Sequence, residues 1–138
     1  MGTLALLLHP EQLALLKAGP ALVDSAIEEI LRYVDVTQAG RRRVALEDVE
    51  VAGQLVRAGE GIIAANPSAN RDEEVFVDPF TFDTTRSPNP HLGFGFGTHF
   101  CLGNALARLE GRVALDEILD RFPEWEVDLT DAELSPTS

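Results

Sequence analysis

The chain carries a single cysteine, Cys101, inside the stretch GFGFGTHFCLGNALARLE at residues 93–110. A cysteine at the start of a helix faces unpaired backbone N–H groups and the positive end of the helix dipole, and both favour thiolate over thiol. A thiolate has two common uses, as nucleophile or as metal ligand. A phosphatase-like nucleophile calls for a glycine-rich phosphate cradle after the cysteine, ending in an arginine at the sixth position. Ala107 stands there, Arg108 comes one later, and the residues between are largely apolar. His99 could serve as a base, but nothing suggests a third group to orient it. The nucleophile reading is weak.

The residues before the cysteine suit a ligand better. Gly93, Gly95 and Gly97 put three glycines in five residues, removing side chains where backbone would lie flat against something large and planar. Phe94 and Phe96 can supply apolar cover, and His99 could reach a carboxylate at the edge of the plane. Haem, with its iron, apolar face and two propionates, meets these demands together. A lone cysteine is most often a buried structural one, yet that role leaves the glycines unexplained.

Several elements must position this segment. Leu4 to Leu8 reads as the tail of a helix, and Pro10 opens a second that Gly19-Pro20 stops near Lys17. A third helix is predicted from about Ala21 to Tyr33, with Val23, Ile27, Ile30 and Val34 spaced for one buried face. The period then changes. Short Val- and Ile-containing runs from Arg41 to Asn66, broken at Ala52-Gly53 and Ala58-Gly59, read as a small antiparallel sheet. From Asn66 to Pro90, four prolines and many Asp, Asn, Ser and Thr residues predict a long meandering loop, packed through Phe76, Phe80 and Phe82. After Cys101, the residues Leu102, Ala105, Leu106, Leu109 and Val113 mark a helix face running to about Arg121, before Phe122-Pro123. The result is a mainly α chain with a small antiparallel β-sheet.

At 138 residues the chain suffices for one domain. A net charge of −12 argues against nucleic-acid binding, which needs a basic surface. One cysteine can form no internal disulfide and no multi-cysteine zinc site, which suits a reducing cytoplasm. The apolar run near Met1 is too short for a membrane span and lacks the charge pattern of a secretory signal.

Phe94, Gly97, Cys101 and Gly103 reproduce the F-x-x-G-x-x-x-C-x-G loop of the cytochrome P-450 family, with His99 where that family has a basic residue. Glu29-Ile30-Leu31-Arg32 is similar to its E-x-x-R helix, and Asp83-Thr84-Thr85-Arg86 resembles the meander that supplies a second arginine. Arg43 falls where family members place a propionate-binding arginine. The segment ANRDEEVF resembles the bacterial soluble members, and the likeness extends to about Leu134.

The resemblance implies haem b with Cys101 as its axial thiolate. Arg43, Phe94, Gly97, His99 and Gly103 would complete the binding site, and Glu29, Arg32 and Arg86 would form a buried cluster beneath it. Spacing alone allows Glu28 as well as Glu29 to pair with Arg32; the resemblance selects Glu29. The implied reaction is O2-dependent hydroxylation of a small organic substrate, with electrons from a ferredoxin-like or flavodoxin-like partner. The family's distal helix would precede Met1, and its last β-hairpin would follow Ser138. Residues 1–138 are therefore expected to be the C-terminal haem-binding portion, with no appreciable monooxygenase activity alone. The rival expectations are a non-catalytic truncated remnant and a small haem-binding or interaction module.

Overall fold

Prolines and glycines punctuate the N-terminal third. In the computed structural model, α1 spans Gly2–Leu8 and α2 spans Pro10–Ala18, with Pro10 in the first turn and Gly19 at the C-cap. A single 3₁₀ turn, Pro20–Leu22, leads into α3, Val23–Val34. The structure describes residues 1–35, 37, 40–122 and 124–131. Pro123 and Leu134, named above as a helix stop and as the limit of the resemblance, lie outside them.

The β region forms two sheets, not the single one expected. Strand β1 (Arg41–Val44) pairs antiparallel with β4 (Gly61–Ala64), and between them β2 (Val49–Val51) pairs with β3 (Gln54–Val56). The inner hairpin is closed by the two-residue turn Ala52-Gly53, with Val51 opposite Gln54. Between the pairs Ala45 still donates to the Glu60 carbonyl and accepts the Gly59 N–H, after which the Ala58 N–H turns to the Asp48 side chain and the ladder breaks.

The segment expected to be wholly irregular opens with a short helix, α4 (Asn66–Ala69), and then meanders. Phe76 and Phe82 are buried as expected, but Phe80 is 68% exposed. Helix α5, Asn104–Arg121, ends where the sequence indicates.

The core lies among α1, α2, α3 and one side of α5. Leu6, Leu16, Val23, Ala26, Ile27, Phe82 and Leu115 form it. Burial of a Leu or Phe side chain stabilises by about 1.5–3 kcal/mol, so this cluster is what fixes α5 across α3. Close approach there needs a glycine: a Cβ on Gly111 would come within 3.2 Å of Ile27 Cδ1. The apolar α5 face that the sequence marks at Leu102, Leu106, Leu109 and Val113 is open to solvent. Leu102 is 99% exposed, and Leu106, Leu109 and Val113 are more than half exposed. Helix α5 carries two apolar stripes, and the one containing Gly111, Leu115 and Leu119 is the stripe that packs.

Candidate functional site

Two clusters diverge from adjacent residues of α3. Successive helical residues point about 100° apart, so Glu28 and Glu29 cannot serve the same neighbours. Glu29 pairs with Arg32, whose Nε and Nη2 donate to its two carboxylate oxygens at 2.8 and 2.7 Å. Both residues are fully buried. Arg86 adds its Nε to the Glu29 carboxylate at 3.2 Å. The remaining guanidinium protons are spent on the meander. Arg32 donates to the carbonyls of Asn70, Pro79 and Thr81, and Arg86 to those of Val77, Asp78 and Thr81. Glu29 further accepts the Asp83 N–H and the Asn89 side-chain amide. Buried charges are tolerable only when paired and hydrogen-bonded. Here all three are, and the long loop gains the partners that its irregular backbone needs.

The alternative pairing of Glu28 with Arg32 does not form. Glu28 binds Arg108 in a two-pronged contact, Nε at 2.6 Å and Nη2 at 2.9 Å, and also meets His91 Nε2 at 2.9 Å. The Arg108 fork holds the Glu28 carboxyl below the usual carboxylate range, against the opposing effect of partial burial, and His91 adds to the lowering. The same contact raises the Arg108 guanidinium. Sequence reasoning misses this cluster. The Glu-Glu pair on α3 is a signal for one half, but Arg108 lies 80 residues away.

The cysteine segment sits at the mouth of α5. Cys101 precedes the helix proper, two residues before Gly103 at the N-cap, so it occupies the approach to the helix rather than its first turn. It is half-buried. Its N–H donates to the Phe94 carbonyl at 3.0 Å, and its carbonyl accepts the Asn104 backbone and side-chain N–H groups at 3.2 and 2.7 Å. Between Phe94 and Cys101 the backbone makes a tight excursion, with Gly95 at φ 77° and Gly97 at φ 73°. Side-chain-bearing residues rarely adopt those angles. A Cβ on Gly97 or Gly103 would meet nothing within 4 Å, so the loop presents bare backbone to open space.

The two phenylalanines have different positions. Phe94 turns inward, its ring against Phe100, His91 and the Arg108 guanidinium, the last at 4.6 Å from the ring centre. Phe96 turns outward and is 86% exposed. Beside it, Arg41, Arg43 and His99 line one cavity of about 260 Å³ with Gly95, Leu92 and Asn66. Strand alternation explains the arginine pair, since residues two apart share a face. Arg41 therefore joins Arg43, although the sequence alone singles out only the latter. A single sulfur donor, bare glycine backbone, an exposed aromatic ring and a cationic pocket are what an apolar disc with an anionic edge requires. The residues fit haem.

The family model for cytochrome P450 matches residues 20–138. The biotin biosynthesis cytochrome P450 of Bacillus subtilis (strain 168) is 49% identical over 122 residues, covering 88% of this chain and 31% of that protein. Nocardicin C N-oxygenase of Nocardia uniformis subsp. tsuyamanensis is 54% identical over 119 residues, 86% of this chain and 30% of the relative. Among solved structures, P450BioI in complex with an acyl carrier protein ligated to hexadec-9Z-enoic acid superposes with a TM-score of 0.90 at 44% identity. That match takes in 98% of this chain and 35% of the other. The chain thus spans about a third of the length of these relatives.

Proposed function

This chain belongs to the cytochrome P450 family, and we propose on that footing that it is the C-terminal, haem-binding portion of a haem-thiolate monooxygenase. Haem b, when bound, supplies the iron at which one atom of O2 enters a small organic substrate and the other leaves as water, with two electrons and two protons consumed. Cys101 is the thiolate ligand. Its loop backbone, bare at Gly97 and Gly103, lets the plane approach, while Phe94 stiffens the loop from within. Arg43 and His99 meet the propionates from the shared cavity, and Arg41 adds a second guanidinium there. The Glu29–Arg32–Arg86 cluster does no chemistry; it holds the meander in place.

The electron donor in this reading is a ferredoxin-like or flavodoxin-like protein docking near the cysteine side. Among the described residues no helix is long and apolar enough to cross a membrane, and the acidic net charge disfavours nucleic acid; we assign the protein to the cytoplasm.

The observation that carries the reading is the placement of Cys101, half-buried and hydrogen-bonded on both sides of its peptide, behind a glycine loop that offers only backbone. Reconstitution with haem tests it. The reduced carbon-monoxide complex should show the red-shifted band of a thiolate ligand, and Cys101→Ser should abolish it. A mutant that keeps the band would overturn the assignment, as would a haem-loaded native chain that never shows it.

A further inference from the structure

Glu28 faces away from the buried charge cluster, and both of its contacts lead to the cysteine loop. One route runs through α5. Arg108 grips Glu28 with Nε and Nη2 and donates from Nη1 to Asn104 Oδ1 at 2.9 Å; Asn104 Nδ2 then donates to the Cys101 carbonyl at 2.7 Å. The other route runs through His91, whose Nε2 meets Glu28 at 2.9 Å while its Nδ1 accepts the Gly93 N–H at 3.0 Å. An Nδ1 that accepts leaves the proton on Nε2, so this ring donates to the carboxylate. The two routes end on opposite sides of the glycine excursion, at Gly93 and at Cys101. Between them, the Arg108 guanidinium lies over the Phe94 ring, and the Phe94 carbonyl accepts the Cys101 N–H.

We propose that Glu28 is a positioning residue for Cys101, one carboxylate that clamps the cysteine loop at both ends through Arg108–Asn104 and through His91. The proposal rests on the haem-thiolate reading for its consequence, which is a sulfur held at fixed height and direction, but the clamp itself belongs to the chain without haem. A plain helix–helix ion pair would tie α3 to α5 and nothing more. The geometry goes further, because Arg108 spends its third donor on the residue that binds the cysteine carbonyl. A lysine at 108 keeps the charge but cannot make a planar fork and a third bond at once.

Two measurements on the full chain separate the possibilities. In the haem-free chain, amide hydrogen exchange at Phe100 and Cys101 should accelerate about tenfold or more in Glu28→Gln and Arg108→Lys, the loss expected when hydrogen bonds to a charged group are removed. Exchange in α1, α2 and the Arg32-bonded meander should accelerate less than at Phe100 and Cys101, whereas a general loss of stability alone would not single out the cysteine loop. In the haem-loaded chain, the same variants should lose part of the red-shifted carbon-monoxide band to a shorter-wavelength form, with Glu28→Asp restoring more of it than Glu28→Gln. Unchanged exchange and an unchanged band in Glu28→Gln and Arg108→Lys would overturn the clamp. If Glu28→Gln unfolds the chain, Asn104→Ser decides instead, because it shortens the last link alone; native exchange at Cys101 there would equally refute the proposal. A native chain without the thiolate band defeats the haem reading, while the exchange experiment on the haem-free chain still decides the clamp.

Discussion

Helices α3 and α5 cross at Gly111, yet they complete themselves in opposite ways. Helix α3 turns its apolar residues inward and finds a partner for both neighbouring carboxylates, Glu28 and Glu29. Helix α5 buries one stripe and leaves Leu106, Leu109 and Val113 uncovered, and Leu102 and Phe96 in the segment before it are exposed as well. Contiguous exposed apolar surface marks a place where something else is bound or packed. The α3 side is a finished structure. The α5 and cysteine side is a surface shaped for contact. The division separates residues whose loss should unfold the chain from those whose loss should change only what it binds.

The sharpest break should come at Arg32. Arg32→Ala leaves Glu29 buried without its principal partner and deprives three carbonyls of a donor. Removing one member of a buried pair costs about 3–5 kcal/mol, a large share of the stability of a small domain. Urea unfolding of the haem-free chain should show that loss. A cost below about 1 kcal/mol, the size of an exposed pair, would mean that the cluster is not what holds the meander. Gly97→Val should cost less, about 1–3 kcal/mol, from backbone strain at φ 73° alone, because its Cβ meets open space. Its larger effect belongs to the open side: a branched side chain on the bare loop should weaken haem binding in a titration. Equal haem affinity in native and variant would show that Gly97 serves the turn only.

Acid should probe the junction between the two sides. The folded-state value of Glu28 lies below its ordinary value of 4.5 because of the Arg108 fork. Its contribution to stability is thus fully present above that ordinary value and is lost as pH falls through the lower folded value. Arg108, its guanidinium raised above the ordinary value by the same contact, acts with the opposite sign and only at extreme alkaline pH. Stability measured from pH 6 down to about pH 3 should therefore fall less steeply in Glu28→Gln than in the native chain. Parallel curves would show that the contact carries no coupling to folding.

Much of this division is legible in the sequence, and the parts that are not share a cause. Helix α3 is legible because its apolar residues fall on one side, so period alone fixes its buried face. Helix α5 is legible as a helix and as to its end, but its two apolar stripes give period no means of choosing between them. Phe80 departs from expectation for a related reason: an aromatic ring in a loop signals packing on average, and in the meander Phe76 and Phe82 take those places. The glycine–cysteine loop stands out by its residue types before any resemblance is drawn, whereas Glu29, Arg32 and Arg86 stand out through family resemblance, since an i,i+3 Glu–Arg spacing looks the same on any exposed helix. The Glu28–Arg108–His91 contacts are invisible, because they join residues 63 and 80 positions apart that only folding brings together. Arg41 needs the strand register to reveal that it shares the face of Arg43.

The smallest effect on stability should come from the most conspicuous exposed residues. Leu106→Ser and Leu109→Ser each remove a large apolar side chain from the middle of α5. In a buried stripe such changes would cost several kcal/mol, about 2–5 for truncation of a core leucine. Here both side chains are more than half in solvent in the folded chain, so unfolding exposes little more of them and the transfer contribution nearly vanishes. What remains is a modest difference in helix propensity, of a few tenths of a kcal/mol. The double variant should therefore unfold within about 0.5–1 kcal/mol of the native chain, the sum of two surface substitutions. It should also bind less of an apolar fluorescent dye and remain soluble at higher concentration, because the uncovered stripe is what attracts both dye and other chains. A loss of several kcal/mol would break the comparison between the helices: the outer stripe of α5 would then be covered in solution, and a stability that rose with protein concentration would identify a second copy of the chain as the cover.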